Sequence, residues 1–464
     1  MEREKLSLGK KISFAIGNIG GLAINQSTVL LLYTYYFLYL GVPLSALEIS
    51  LILVIYGVWD ALNEPLIGHL SDFTRSKFGR RKPFIMLGIG PLVLFSFLIY
   101  TPPVNNSLLC LIYLSLILIT YELFVTMVVT NWYSLFPELS LEQSERLSIS
   151  RYLQIFGLVG LIIGLGIAPL IAGLFSEPIY GYSMMGLMIG LITAVSMIPT
   201  ILFIKERKEY QVKKVEKLSF FKSITIAVKN RSFLFFILVQ FLLQLSYALV
   251  VSSLPLFFEG ILGLGSLEYS LLLLATFLSV LPSLFMWTKV ADKYGTKKAL
   301  MISMLCFCGA FLLSFIIVDI ITALIVLLIA GIGLGGLMLF PTILLSDVID
   351  EDQLKTKKRR EGIYNGVSGV IVKLSSAISW GIIGIVLTFF GIQQSNLETS
   401  TLTLFQQFGL KSLISLIPIG IVLLGLLCLH FYPLAGEKLK TVKQKVKELN
   451  QELALQYKET KNSE

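Results

Sequence analysis

Asp60 and Glu64 lie four residues apart inside a long apolar segment, and Asn63 lies between them. At this spacing the two carboxylates share one face of a helix, with side chains about 5–6 Å apart. Carboxylates this close share a proton or hold a cation between them. Each costs roughly 2.5–3.5 kcal/mol inside a membrane helix, and such residues mark ion or substrate paths by default. The pair therefore predicts a site for a coupling ion.

The predicted ligands of this cation site are four side chains that carry oxygen atoms. They are Asp60, Asn63, Glu64 and, from another apolar segment, Thr126. A hard monovalent cation such as Na⁺ takes oxygen ligands, whereas a proton needs only a carboxylate. The neutral oxygens of Asn63 and Thr126 favour Na⁺, with H⁺ as the alternative. No other metal and no cofactor are predicted.

Three more ionisable residues lie within or at the end of apolar segments. Lys373 needs an anionic partner, for which the paired carboxylates are the candidates; the alternative is a fixed salt bridge that only orders packing. Glu122 either extends the ion or proton network or serves as a structural partner. Arg151 either contributes to the site or snorkels to the membrane surface.

Polar and aromatic side chains at helical spacing are candidates for lining a substrate cavity. Amides and ring faces suit sugars, although amides also hold membrane helices together. The candidates are Asn18, Asn25, Gln26, Gln244, Tyr247, Asn365 and Trp380.

The composition is that of a polytopic membrane protein. Of 464 residues, 55% are hydrophobic and 14% are charged, against about 25% charged in soluble domains. The net charge of +9 is concentrated in a few loops, which indicates topology and not nucleic-acid binding. The sequence contains no phosphate-binding loop and no evident nucleophile–base pair. It therefore predicts neither an enzyme nor a pump with its own ATPase.

Twelve apolar segments have about 20 residues or more, the length at which a helix crosses a bilayer. We predict them near 12–40, 46–71, 83–101, 107–136, 149–175, 182–204, 232–258, 267–290, 299–318, 320–346, 362–391 and 411–433. Basic residues are concentrated in the loops that follow the even-numbered segments. The alternate loops without Lys or Arg are 41–45, 102–106, 176–181 and 259–266. By the positive-inside rule both termini are cytoplasmic, and the prediction is a multi-pass protein of the cell membrane.

One loop pattern occurs twice, about half a chain apart. Asp72 precedes Gly79-Arg80-Arg81-Lys82, and Asp292 precedes Gly295-Thr296-Lys297-Lys298. Paired halves are typical of secondary transporters with a site at the membrane midplane. The predicted domains are a six-helix bundle over 1–204, a basic cytoplasmic linker over 205–231, a second bundle over 232–434 and an amphipathic tail over 435–464.

The charged residues of these loops predict a cytoplasmic gate. Opposite charges on the two halves can pair only when the cytoplasmic side is closed; the alternative is that the bases only obey the positive-inside rule. The predicted gate residues are Asp72, Arg75, Arg80, Arg81, Asp292, Asp347, Asp350, Arg359 and Glu361.

Three blocks of the sequence resemble one transporter family. They are WDALNEPLIGHLSDFTRSKFGRRKPF, LFPELSLEQSERLSISRY and SDVIDEDQLKTKKRREGIYNGVSGVIVKLSSA. Over its whole length the chain resembles the glycoside–pentoside–hexuronide:cation symporters, the branch of the major facilitator superfamily that includes melibiose permease. The resemblance implies an all-α membrane fold of twelve helices in two pseudo-symmetric six-helix bundles. The Na⁺ ligands that it implies are Asp60, Asn63, Glu64 and Thr126, and the helix 11 lysine and helix 5 arginine of the family match Lys373 and Arg151.

The sugar-binding acids of that family do not carry over. The positions that match its two aspartates are Leu22 and Val129, and the tryptophan that stacks on the sugar is similar to Tyr133. Glu64 also replaces an aspartate, which leaves the choice between Na⁺ and H⁺ open. The resemblance therefore implies a different sugar or a less polar substrate, and a sister branch carries lysophospholipids with Na⁺.

These features predict a cation-coupled symporter that moves a sugar or glycoside by alternating access. One alternative is a Na⁺-coupled symporter of lysophospholipids or other amphiphiles. An alternative of another class is a non-transporting membrane sensor, which the lack of an appended signalling domain disfavours. The expected partners are the substrate, the coupling cation and the lipid bilayer, and the expected oligomeric state is a monomer.

Overall fold

The computed structural model describes residues 6–39, 44–104, 106–139, 143–204, 206, 225, 227–356, 360–398, 402–446, 448 and 449. Within these ranges the side chains at 69, 72, 137, 138, 143, 144, 146, 147, 361, 362 and 398 lie outside the description.

The described part of the chain is helical. Eleven helices are long and apolar enough to cross a membrane, and one shorter apolar helix lies between the second and third of them. In chain order they are α1 Leu8–Tyr39, α2 Ala46–Gly68, α3 Lys82–Leu98, α4 Ser107–Tyr133, α5 Ser148–Gly173, α6 Pro178–Phe203, α7 Arg231–Leu262, α8 Ser266–Tyr294, α9 Thr296–Ile316, α10 Ile320–Thr356, α11 Ile363–Phe389 and α12 Leu404–His430. The prediction of an all-helical membrane chain is confirmed.

Local sequence explains where the helices begin. Ser45 and Glu48 form a capping box at the start of α2, in which the Glu48 N–H donates to Ser45 Oγ at 3.2 Å. Asn106 accepts from the Leu109 N–H at 3.1 Å at the start of α4. Both side chains satisfy backbone donors that the first helical turn leaves free. α10 ends ten residues beyond its predicted segment, because the helix continues through polar residues such as Asp347.

Three of the long helices contain a π turn. These turns are Tyr35–Tyr39 at the end of α1, Thr126–Thr130 in α4 and Ile162–Ile167 in α5. A π turn inserts a residue into the helical repeat and changes the direction of the side chains that follow, which is why such turns are frequent at functional sites. The turn in α4 includes Thr126, one of the predicted cation ligands.

The contacts divide the chain into two compact units. The first unit contains Met1–Lys217, Ala248–Leu274 and Ser376–Ile414, and the second contains Leu218–Tyr247, Ala275–Ser375 and Ser415–Glu464. The boundaries of the units lie inside helices α7, α8, α11 and α12. The predicted division into two sequential six-helix bundles stays a prediction.

Glycines bring helices close together within the first unit. A Cβ atom at Gly57 of α2 would lie 2.9 Å from Ala377 Cα of α11, and one at Gly384 of α11 would lie 1.9 Å from Ser50 Oγ of α2. Small residues at such crossings let the backbones of membrane helices approach closely. α2 and α11 are therefore in direct contact in this unit, next to the residues of the candidate site.

In the second unit the C-terminal tail forms a helix, α13, over 436–446. Its Lys443 and Lys438 pair with Asp347 and Glu351 of α10, each at 3.0 Å. The two carboxylates are 3% and 5% exposed, so the lysines supply the counter-charge that buried acids require.

The loop that precedes α3 is held by one carboxylate. Glu206, beyond the end of α6, accepts the backbone N–H groups of Arg80, Arg81 and Lys82 at 2.7, 3.0 and 2.8 Å. Gly79 has φ 113°, and a Cβ atom there would lie 2.4 Å from the Glu206 Cδ. Only glycine allows this backbone conformation together with so close an approach.

We expect Glu206→Gln to lower the free energy of unfolding by about 1–3 kcal/mol, because the amide cannot replace a carboxylate that accepts three backbone hydrogen bonds. The matched control is Glu437→Gln, since Glu437 is 92% exposed and, among the described residues, forms an ion pair with Lys440 on its own helix. Thermal unfolding of both variants in detergent is the measurement. Equal midpoints for the two variants would contradict the prediction.

Candidate functional site

The polar faces of α2 and α4 meet around Glu122. Its side chain is buried, and its carboxylate accepts two hydroxyls: Tyr56 Oη at 2.8 Å and Thr126 Oγ1 at 3.3 Å. A carboxylate out of water is strongly unfavourable unless donors satisfy it. The two hydroxyls, one from each helix, satisfy the buried carboxylate of Glu122.

Asn63 links the same two helices. It is 1% exposed, and its Nδ2 donates to the Glu122 backbone oxygen at 3.1 Å. Its Oδ1 is buried and has no hydrogen-bond partner. A buried acceptor without a partner is costly, and a cation is a ligand that such an oxygen would accept. The orientation of the Asn63 side chain therefore fits the predicted cation site.

Glu64 and Asp60 lie on the same face of α2, and both side chains are half-buried. Thr130 Oγ1 donates to Glu64 Oε1 at 2.9 Å. Thr126 and Thr130 are the first and last residues of the π turn in α4. The turn thus presents two hydroxyls to two different carboxylates of the site.

The four predicted ligands lie where α2 packs against α4. Thr126 differs from the prediction in its partner. Its hydroxyl donates to Glu122, which makes Glu122 part of this constellation. Sequence reasoning missed Tyr56 as a member. The available signal was spacing, because Tyr56 lies one helical turn before Asp60 and therefore on the same face.

The residues of the first unit that were predicted to line a substrate cavity do not lie together. Asn18 donates to the Leu153 backbone oxygen at 2.8 Å and so joins α1 to α5. Asn25 is exposed and accepts from Gln26 Nε2 at 3.3 Å. Trp380 is 2% exposed, and its ring lies 5.7 Å from that of Tyr56. Trp380 therefore lies next to the candidate site, whereas Asn18 acts in helix packing.

The remaining predicted site residues are dispersed. Tyr133 is 57% exposed, and Arg151 is also exposed. In the second unit Lys373, Gln244 and Tyr247 are half-buried and Asn365 is exposed. The pairing of Lys373 with the carboxylates of α2 stays a prediction.

The predicted gate residues are only partly described. Arg75 and Asp292 are exposed, and Asp350 is half-buried. Arg80 and Arg81 follow Gly79 in the loop held by Glu206, and Asp347 pairs with Lys443 of the tail. The side chains of Asp72 and Glu361, and all of Arg359, lie outside the described residues. The gate stays a prediction.

Comparison with known protein families identifies the chain. Residues 13–436 match the family described as MFS/sugar transport protein. The chain belongs to this family. It is accordingly a multi-pass secondary transporter of the major facilitator superfamily, and the membership of a melibiose-permease-like branch is not confirmed.

Curated relatives extend over nearly the whole chain. The chain is 26% identical to the sodium-dependent lysophosphatidylcholine symporter 1 of Gallus gallus, over 97% of this chain and 91% of the relative. It is also 26% identical to the uncharacterized symporter sll1374 of a Synechocystis strain, over 84% and 87%. The Bacillus subtilis uncharacterized symporter YnaJ is 25% identical, over 95% and 94%.

Solved structures agree in fold. The nucleoside transporter NupG, as a D323A mutant, superposes with a TM-score of 0.64 at 13% identity, over 91% of this chain and 99% of that chain. A bacterial homologue of the human lysosomal transporter Spinster, in an inward-facing and occupied conformation, gives 0.64 at 12% identity, over 92% and 95%. The predicted major facilitator fold is confirmed.

We expect Thr126→Val to raise the Na⁺ concentration for half-maximal binding about tenfold, because Glu122 loses a donor and the site loses an oxygen. The matched control is Thr120→Val on the same helix, where the hydroxyl donates only to the Leu116 backbone oxygen, at 2.7 Å. The measurement is a calorimetric titration of the purified protein with Na⁺. An equal response in the two variants would remove Thr126 from the site.

Proposed function

We propose that the chain is a Na⁺-coupled symporter of a lysophospholipid or a similar amphiphile. We base the choice of cation on one observation: the buried Asn63 Oδ1, on the same helix as Asp60 and Glu64, has no hydrogen-bond partner. A proton would need none of the neutral oxygens that α2 and α4 supply here. This favours Na⁺ over H⁺.

Two observations support a lysophospholipid as the substrate: the names of several relatives, and the absence of sugar-binding aspartates at the matching positions. Several relatives are sodium-dependent lysophosphatidylcholine symporters by name, and the similarity covers nearly all of this chain. The positions that match the sugar-binding aspartates are Leu22 and Val129. Apolar residues at these positions favour an acyl chain over sugar hydroxyls.

A sugar remains the second candidate, since the family as a whole is described as MFS/sugar transport protein. Trp380 would then contact the sugar, because ring faces suit sugars and this ring lies next to Tyr56 of the proposed cation site. The sugar substrate predicted from the sequence is not confirmed.

The carboxylates couple the two substrates through charge. Negative charge on Asp60 and Glu64 is unfavourable in a cavity that closes and excludes water. Na⁺ neutralises part of that charge and lets the helices close around a bound solute. Cation and solute then cross together, and neither crosses alone at an appreciable rate.

We expect Asp60→Asn to abolish Na⁺-driven accumulation, because the site loses one of its negative charges. Substrate binding should persist in this variant but no longer respond to Na⁺. The measurement is uptake into proteoliposomes with and without an inward Na⁺ gradient. Concentrative uptake with an unchanged Na⁺ response would overturn the assignment of the site.

Counterflow in proteoliposomes against a panel of lysophospholipids and sugars tests the substrate. We expect exchange of a lysophospholipid that increases with Na⁺ at fixed pH. Exchange of sugars alone would establish the second candidate. A response to pH without a response to Na⁺ would reverse the choice of ion.

A further inference from the structure

A second carboxylate that the first unit partly buries lies among tyrosines near the ends of α1 and α7. Tyr39 ends α1, and its hydroxyl donates to the carboxylate of Glu259 in α7. The ring of Tyr182 in α6 lies 5.2 Å from that of Tyr39. The ring of Tyr269 in α8 stacks on that of Phe258, the residue before Glu259, with 6.1 Å between the ring centroids. We call Tyr39, Tyr182, Glu259 and Tyr269 the outer cluster.

Two hydroxyls of the outer cluster lack a well-aligned hydrogen bond. Tyr182 is 2% exposed and Tyr269 0%; their hydroxyls lie near each other, and that of Tyr269 lies near Ser266. Neighbouring tyrosines differ in this respect: the hydroxyls of Tyr35 and Tyr36 donate to the backbone oxygens of Tyr100 and Ile99. A buried hydroxyl without a well-aligned hydrogen bond is unfavourable, so Tyr182 and Tyr269 are less well satisfied here than Tyr35 and Tyr36.

Glu259 has no cationic partner in the described part of the chain, where every recorded ion pair involves other residues. The loops at this end contain no Lys or Arg at 41–45, 102–106, 176–181 and 259–266. Its recorded hydrogen bond comes from a neutral hydroxyl. The cluster therefore combines one carboxylate without a counter-ion and the rings of three tyrosines.

This combination is the chemistry that binds organic ammonium groups. Aromatic faces attract a cation through their quadrupole, and quaternary ammonium ligands are held by aromatic cages. A carboxylate adds charge that neutral rings lack. Na⁺ is a poorer match, because it needs several oxygen ligands close together, and the cluster offers mostly ring faces.

We propose that the outer cluster is the subsite for a quaternary ammonium headgroup of the transported amphiphile; this assignment depends on the proposed function. In the present structure the Tyr39 hydroxyl donates a hydrogen bond to the carboxylate of Glu259 and so blocks the position of the headgroup. When this end opens, Tyr39 moves away with α1, and the headgroup lies against Glu259 and the rings of Tyr182 and Tyr269. Closure returns the hydroxyl and releases the headgroup inward.

Binding of headgroup probes to purified protein in detergent tests the subsite without transport. The probes are choline and its uncharged isostere 3,3-dimethyl-1-butanol, titrated by calorimetry. We expect choline to bind at least tenfold more tightly than the isostere, and Glu259→Gln to abolish the difference. Tyr39→Phe should preserve or strengthen choline binding, because it removes only the competing hydroxyl.

The control for the loss of an acid at this end is Glu177→Gln, since Glu177 is exposed and makes no capping hydrogen bond to α6. It should leave choline binding unchanged. Thermal unfolding of every variant confirms that it is folded. A wild-type protein that binds choline and the isostere equally would overturn the proposal, as would a Glu259→Gln variant that still distinguishes them.

Uptake of two lysolipids relates the subsite to transport. Glu259→Gln should raise the half-saturating concentration of lysophosphatidylcholine about tenfold and leave that of lysophosphatidylglycerol, which has no ammonium group, unchanged. Equal losses for both lipids would make the outer cluster a closure contact only. If the wild type binds choline selectively but transports neither lipid, the proposed function fails and the subsite stands. If it transports them without selecting choline, only the subsite fails.

Discussion

A carboxylate inside a membrane helix has to be satisfied by the protein, and the packing of α2 against α4 meets that requirement. Glu122 receives hydroxyls from Tyr56 and Thr126, and Glu64 receives one from Thr130. In a soluble protein, water could supply these donors. Here the donors must come from neighbouring helices, so the positions of the acids determine which helix faces meet.

α2 also packs closely against α11. Gly57 and Gly384 let α2 and α11 approach until side chains would collide, and van der Waals contact holds them together. Tyr56 lies between the two arrangements: its hydroxyl donates to Glu122, and its ring packs near Trp380. A shift of Glu122 would therefore be felt through Tyr56 at the contact between α2 and α11.

The sequence was sufficient for the helices and for the acidic pair, because both depend on local patterns. Apolar length determines a span, and a spacing of four residues determines a shared face. It was insufficient for features that depend on tertiary packing. The π turn in α4 has no local signature here, and Glu206 holds a loop more than one hundred residues away in the sequence. The pairing of Asp347 with Lys443 likewise follows from docking of the tail.

The acids that the protein buries in whole or in part differ in the kind of partner that satisfies them. Asp347 and Glu351 are paired with lysines, which neutralise them as long as the tail is docked. The hydrogen bonds recorded for Glu64, Glu122 and Glu259 come instead from hydroxyls. A hydroxyl satisfies the geometry of a carboxylate but leaves its charge in place. A cation that reaches Glu259 can therefore still gain electrostatic attraction, and it releases a neutral group when it binds. A carboxylate that a hydroxyl satisfies, as at Glu259, therefore suits a place where a cation has to both enter and leave.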